Sequence, residues 1–208
     1  MNALLKDRLG LVAILRGLEP ERAVEVAQAV FDAGIDVIEV PLNSPDPFRS
    51  IAAIVATLGE KALIGAGTVL TSADVDRLAK TGAKLMVSPN TNPEVIAQAA
   101  RRDLVALPGA LTPSEMFAAL DAGASGLKLF PAELASPAAL KAVRAVLPVE
   151  APVYVVGGID GANMGTYLDA GAAGFGIGSA IFKPGKSLAE IADGAAQLVV
   201  AYKAALSR

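Results

Sequence analysis

The sequence predicts a closed (β/α)8 barrel, the TIM-barrel arrangement of the α/β class, folded as a single domain over residues 1–208. Eight short, nearly uninterrupted apolar runs alternate with segments whose apolar residues recur at helical spacing, and the connections are short throughout. The chain has 208 residues, enough for one large core and for eight β-α units at the compact end of their range. The tripeptide Asp-Ala-Gly recurs at 32–34, 121–123 and 169–171, each time where a helix stops and a strand follows. Shared helix-to-strand loop chemistry accounts for that recurrence. A doubly wound open sheet is the alternative, but it would show fewer strands and a glycine fingerprint after the first one. Leu15-Arg16-Gly17 is no such fingerprint.

Each element follows from local signals. An amphipathic segment over 4–9 leads into Leu11-Val12-Ala13-Ile14-Leu15, an apolar run that reads as a strand buried on both faces and ended by Arg16 and Gly17. Pro20 suits the start of a helix, the pattern over 23–33 is helical, and Gly34 supplies a left-handed stop. Val37-Ile38-Glu39-Val40-Pro41-Leu42 is the second strand, followed by Asn43-Ser44-Pro45 and a helix over 47–58. The third strand covers 62–67, and Ser72 caps a helix that runs to Thr81 before Gly82. Leu85-Met86-Val87-Ser88 is the fourth strand, with Pro93 opening the next helix. Val105-Ala106-Leu107-Pro108 is the fifth, and Thr112-Pro113-Ser114-Glu115 has the spacing of a capping box before a helix that closes at Gly123. Gly126-Leu127-Lys128-Leu129-Phe130-Pro131-Ala132 is the sixth strand and its turn. Pro137 opens a helix to Leu147, and Val153-Tyr154-Val155-Val156 is the seventh strand, ended by Gly157-Gly158. A helix over 162–170 stops at Gly171, the eighth strand covers 174–181, and a last helix spans 188–206.

Composition narrows the function. Hydrophobic residues make up 53% and charged residues 19% of the chain, which excludes disorder. A net charge of −3 without a basic cluster argues against a nucleic-acid partner or an anionic membrane surface. Glycines, prolines and charges interrupt every apolar run before it reaches membrane-spanning length. Residues 1–10 carry both signs of charge and no long apolar stretch, so they do not read as a signal peptide. No cysteine is present, so disulfides and thiol catalysis are out. No histidine is present either, so zinc could be held only by carboxylates, and no metal site is expected. Proton transfer near neutral pH then falls to Asp, Glu, Lys or Tyr.

Two buried charges stand out against that background. Lys128 sits in the middle of an apolar strand, where lost hydration lowers an ammonium pKa and leaves a nucleophilic amine. A packed stem with its head in water is the structural alternative. Glu39 lies between Ile38 and Val40, where a carboxylate is costly unless it is paired. It is either a general acid/base or the internal partner of Lys128. Both residues hold the same offset from an Asp-Ala-Gly glycine, as does Gly176, and both fall on even-numbered strands. Alternate strands fill one layer of a barrel interior, so the carboxylate and the amine are expected in one cavity.

Other residues gather at the strands' carboxyl ends, where barrel active sites form. Arg16 ends the first strand, where a guanidinium can capture a carboxylate bidentately or make a surface ion pair. Gly65-Ala66-Gly67-Thr68 allows close approach to the backbone or simply fits a turn. Pro89 and Asn90 after the fourth strand are open to the same two readings. Gly157-Gly158 and Gly178-Ser179 follow strands seven and eight, the usual place for a phosphate held by backbone N–H groups and a helix N-terminus. Gly174-Phe175-Gly176-Ile177-Gly178 has the wrong spacing and place for a dinucleotide loop.

Taken together, Leu15-Arg16-Gly17, Ile38-Glu39-Val40-Pro41-Leu42-Asn43-Ser44-Pro45, Gly65-Ala66-Gly67-Thr68-Val69, Lys128-Leu129-Phe130-Pro131 and Val156-Gly157-Gly158 resemble the class I aldolases of 2-keto-3-deoxy-6-phospho sugar acids, over nearly the whole chain. The resemblance implies a Schiff base on Lys128, with Phe130 beside it, and proton relay by Glu39. It implies a pyruvate end held by Arg16 and Thr68, with Pro89 nearby, and a phosphate held by Gly157, Gly158, Gly178 and Ser179. Gluconate-type enzymes of this family carry arginine and threonine where this chain has Asn43 and Ser44, and threonine where it has Val156. Those positions are similar to the galactonate-type branch, whereas Pro131-Ala132-Glu133 looks more like the gluconate type. The expected reaction is reversible cleavage of 2-dehydro-3-deoxy-6-phosphogalactonate to pyruvate and glyceraldehyde 3-phosphate, as part of galactonate catabolism. The gluconate epimer, or a non-imine enzyme on a phosphate-binding barrel, is the alternative. The resemblance further implies a cytoplasmic homotrimer that needs no metal or organic cofactor.

Overall fold

A computed structural model describes residues 3–6 and 8–207. Among these residues, nine parallel strands form one sheet: β1 (Leu11–Ile14), β2 (Val37–Pro41), β3 (Leu63–Gly67), β4 (Leu85–Val87), β5 (Val105–Leu107), β6 (Gly109–Ala110), β7 (Leu127–Leu129), β8 (Val153–Val156) and β9 (Gly174–Ile177). Their order is β5-β4-β3-β2-β1-β9-β8-β7-β6. β5 and β6 are the two halves of one barrel strand, separated only by Pro108, so the sheet closes on itself through eight strand positions. Proline has no N–H to give the ladder, which explains the break. The neighbours bridge it: Gly109 N donates to Ser88 O (3.0 Å) on one side, and Pro108 O accepts from Lys128 N (2.9 Å) on the other.

Among the described residues, eight α-helices surround the sheet: α1 (Ala23–Asp32), α2 (Pro47–Leu58), α3 (Ser72–Lys80), α4 (Pro93–Arg101), α5 (Pro113–Asp121), α6 (Pro137–Arg144), α7 (Met164–Asp169) and α8 (Leu188–Leu206). The three Asp-Ala-Gly stops behave alike, with Gly34, Gly123 and Gly171 at φ +103°, +97° and +96°. The capping box at Thr112 and Glu115 is formed as expected.

Several boundaries differ from the sequence reading. Thr71, not Ser72, caps α3: its side chain accepts from Asp74 N at 3.1 Å. α7 starts at Met164 because Asp160 Oδ1 accepts from Ala162 N (2.9 Å) and Asn163 N (3.2 Å), holding that stretch as a turn. α6 ends at Arg144, whose guanidinium reaches Ala151 O at 2.7 Å. The last strand stops at Ile177, and Gly178 O accepts from both Ile181 N and Phe182 N at 2.9 Å, a single helical turn. Of the opening segment over 4–9, residues 4–6 form a turn; Asp7, like Met1, Asn2 and Arg208 of the expected 1–208 domain, lies outside the described residues.

Strand alternation separates two cores. Outward residues such as Leu11, Ala13, Ile38, Val40, Leu127, Leu129 and Phe175 pack under the helices. Inward residues Val12, Val37, Leu63, Leu85, Val105, Leu107 and Tyr154 fill the lower barrel, closed from below by Leu5. The upper interior is different. There β3 and β9 present Gly67 and Gly176, and the missing side chains leave room for Glu39 and Val156.

Candidate active site

The site rises from that glycine-lined interior. β2 directs Glu39 inward and β7 directs Lys128 inward. Both line one small apolar chamber with Ile14, Tyr154, Val156 and Gly176, so the equivalence of Glu39, Lys128 and Gly176 read from the sequence is realised in space. A larger cavity of about 260 Å³ opens above it at the strands' carboxyl ends, lined by Arg16, Lys128, Phe130, Val156, Gly157, Gly158, Gly178 and Ser179.

Glu39 is only 2% exposed, and its Oε2 has no hydrogen-bond partner among the described residues. Burial pushes its pKa up to about 7, although the positive charges of Lys128 and Arg16 pull the other way. The carboxyl therefore titrates where a general acid/base works best. Gly67 makes this position available, since a Cβ there would run into the Glu39 carboxylate. Lys128 is 7% exposed. Burial lowers its pKa, Glu39 opposes the shift, and Arg16 reinforces it. Its Nζ lies 4.5 Å from the centre of the Phe130 ring. An amine of lowered pKa facing a cavity can attack a carbonyl carbon, and a carboxyl near neutrality can exchange the protons that follow.

Arg16 is oriented from the neighbouring strand, because its Nη1 donates to Asn43 Oδ1 at 2.7 Å. The next residues reinforce this link, with Gly17 N donating to Ser44 Oγ at 3.0 Å. Asn43 thus meets the cavity through Arg16, while its own side chain lines an adjacent groove with Thr68, Phe48 and Arg77. Thr68 lies on that groove rather than in the cavity wall, in a left-handed backbone conformation (φ +56°). Pro89 is half-buried beyond β4, with its carbonyl against Gly109, and lines neither cavity.

On the opposite wall, Gly157 and Gly158 have φ +114° and +61°, which side-chain-bearing residues adopt rarely. No hydrogen bond among the described residues occupies the backbone N–H of Gly157, Gly158, Ser179 or Ala180. Unpaired donors at a cavity edge make an anion-binding nest. The helix N-terminus expected there is only the one turn begun by Gly178. Sequence reasoning missed Glu133, which packs against Gly157 and Gly158, as well as Ile14, Ile159 and Ala180. Ile14 was findable, being two residues from Arg16 on the same strand face. Glu133 lies on a short 3-10 turn over Ala132–Leu134, where no period marks a facing residue.

Fold and cavity together give a (β/α)8 barrel with a buried lysine and a buried carboxyl beneath a cluster of backbone N–H donors. The chain belongs to the KDPG and KHG aldolase family, whose model matches residues 2–194. It is 50% identical over 194 residues to a probable 2-dehydro-3-deoxy-6-phosphogalactonate aldolase of Rhizobium meliloti (strain 1021), covering 93% of this chain and 92% of that one. It is 47% identical over 201 residues to the 2-dehydro-3-deoxy-6-phosphogalactonate aldolase of Escherichia coli (strain K12), covering 97% and 98%. A solved structure described as native KDPGal superposes with a TM-score of 0.96 at 46% identity, covering 98% of both chains.

Proposed function

We propose that this chain is a Schiff-base aldolase that cleaves 2-dehydro-3-deoxy-6-phosphogalactonate reversibly to pyruvate and D-glyceraldehyde 3-phosphate. The observation that carries the reading is the pairing of Lys128 and Glu39 in one chamber, both with pKa values moved toward neutrality by burial. The names of the relatives at 47–50% identity support the substrate.

The chemistry follows from the positions. Lys128 Nζ attacks C2 of the keto acid, water leaves, and an iminium forms. Glu39, acting through a water, takes the C4 hydroxyl proton as the C3–C4 bond breaks, and the bonding pair flows into the iminium to give an enamine. Glyceraldehyde 3-phosphate departs. Glu39 then returns the proton to C3, and hydrolysis of the imine releases pyruvate and restores the amine. Arg16, steadied by Asn43, holds the substrate carboxylate, while Thr68 sits on the adjacent groove beside Asn43 and Pro89 lines neither cavity. Phe130 packs beside the reacting amine, and Val156 forms the apolar wall at C4. The backbone N–H groups of Gly157, Gly158, Gly178 and Ser179 receive the phosphate. No metal or organic cofactor enters these steps.

The working unit in this reading is a cytoplasmic homotrimer taking part in galactonate catabolism. Large exposed apolar residues such as Leu134 and Val200 support a covered surface, and no described helix is long and apolar enough to cross a membrane. Light scattering would check the trimer, and cell fractionation would check the compartment. The decisive experiment is kcat/KM on the galactonate and gluconate epimers in a coupled pyruvate assay. The galactonate epimer should be cleaved at least as well as the gluconate one, and a strong gluconate preference would overturn the substrate assignment.

A further inference from the structure

Lys186 lies outside both cavities, on the loop that leads into α8, yet it is tied to the anion nest. Its Nζ donates to Ala180 O at 2.9 Å and to Ile181 O at 3.1 Å. Those two peptide units carry the N–H groups of Ile181 and Phe182, and both donate to Gly178 O at 2.9 Å. The peptide unit of Gly178 O in turn carries the N–H of Ser179, which is unpaired at the cavity wall. A continuous hydrogen-bond chain therefore runs from the ammonium through two layers of peptide to the Ser179 donor. Every link points the same way. Aligned chains of this kind polarise one another, so a cation at the far end strengthens the last donor.

The lysine is itself held in place. Arg22 Nη1 donates to Lys186 O at 3.0 Å and Arg22 Nε pairs with Glu25 on α1 at 3.0 Å. Behind the turn, Gly194 of α8 lets Ala180 O approach closely, because a Cβ there would sit 2.9 Å from that oxygen. The turn is thus gripped on its carbonyl side and left open on its N–H side.

We infer that Lys186 is a positioning residue for the phosphate end of the substrate, fixing and polarising the Ser179 N–H donor without touching the ligand. The inference rests on the phosphate reading of the nest. It predicts a defect in phosphate recognition rather than in carbon–carbon cleavage. Lys186→Met should raise KM for the phosphorylated keto acid, and Ki for inorganic phosphate as a competitive inhibitor, by about tenfold, the usual scale of one charge-assisted hydrogen bond acting at one remove. kcat should change less than about twofold, since the group acts on binding rather than on the reacting atoms. Lys186→Arg should recover most of the loss, because it restores a cationic donor.

The control is the same keto acid without its phosphate, measured on the wild type and on both variants. If the wild type does not favour the phosphorylated substrate and is not inhibited by inorganic phosphate, the phosphate reading fails and the inference falls with it. If the wild type does discriminate but a folded Lys186→Met variant keeps its KM and Ki, or loses activity equally on both substrates, the role of Lys186 alone is refuted. Thermal unfolding of each variant separates these results from misfolding.

Discussion

Replacing Glu39 with glutamine should remove a pH-dependent penalty from folding, and its size follows from burial. In the unfolded chain the carboxyl titrates near 4.5, and in the folded protein it titrates at about 7. Below pH 4.5 both states hold the proton and no penalty exists. Between 4.5 and 7 the unfolded chain releases its proton while the folded one keeps it, so stability falls as pH rises. Above 7 both states are ionised and the penalty is complete. The gap between 4.5 and about 7, at about 1.4 kcal/mol per pH unit, amounts to roughly 3 kcal/mol. Glutamine keeps the shape and does not titrate. The stability difference between Glu39→Gln and wild type should therefore grow in favour of the variant by roughly 3 kcal/mol from pH 4 to pH 8. The assay is urea unfolding across that range at fixed ionic strength and protein concentration, with unchanged m-values as the check on mechanism. A difference that stays flat between pH 4 and pH 8 would refute the buried, unpaired carboxyl. The same variant should lose about a hundredfold or more in turnover while still forming the pyruvate imine.

Three further outcomes test the site. Lys128→Met keeps volume and removes the amine, so the folded variant should yield no borohydride-reducible adduct with pyruvate and no detectable cleavage; a persistent adduct would place the imine elsewhere. Gly67→Ala puts a methyl where the Glu39 carboxylate sits. The flexible glutamate should swing aside, lowering kcat about a hundredfold with little change in Tm, because small misplacements of a reacting group are costly; a large drop in Tm with kcat intact would contradict this geometry. Val156→Thr introduces a hydroxyl into the cavity wall, which the proposed reaction sets against C4, and should move the kcat/KM ratio toward the gluconate epimer, since hydroxyl recognition discriminates more strongly than an apolar wall. An unchanged ratio would remove Val156 from substrate selection.

The sequence by itself determined the barrel, the order of its elements and the meeting of Glu39 with Lys128. Those features rest on short-range signals: apolar runs, helix-stopping glycines, and a period of two that fixes the face on which each strand residue lies. The same signals made Pro108 look like the end of a strand. Barrel closure instead lets that strand resume at Gly109, because the carbonyl of Pro108 still reaches Lys128 N. They pointed to Ser72 as a cap where Thr71 caps, since both residue types cap and only the chain's entry angle decides. Tertiary structure alone set the contacts that brace the cavity. Arg16 meets Asn43 across 27 residues of sequence and Arg22 meets Lys186 across 164. Glu133 comes to lie on Gly157 from a turn with no periodic face. Such contacts depend on how eight strands close into a ring, which brings together loops that local periodicity leaves unrelated.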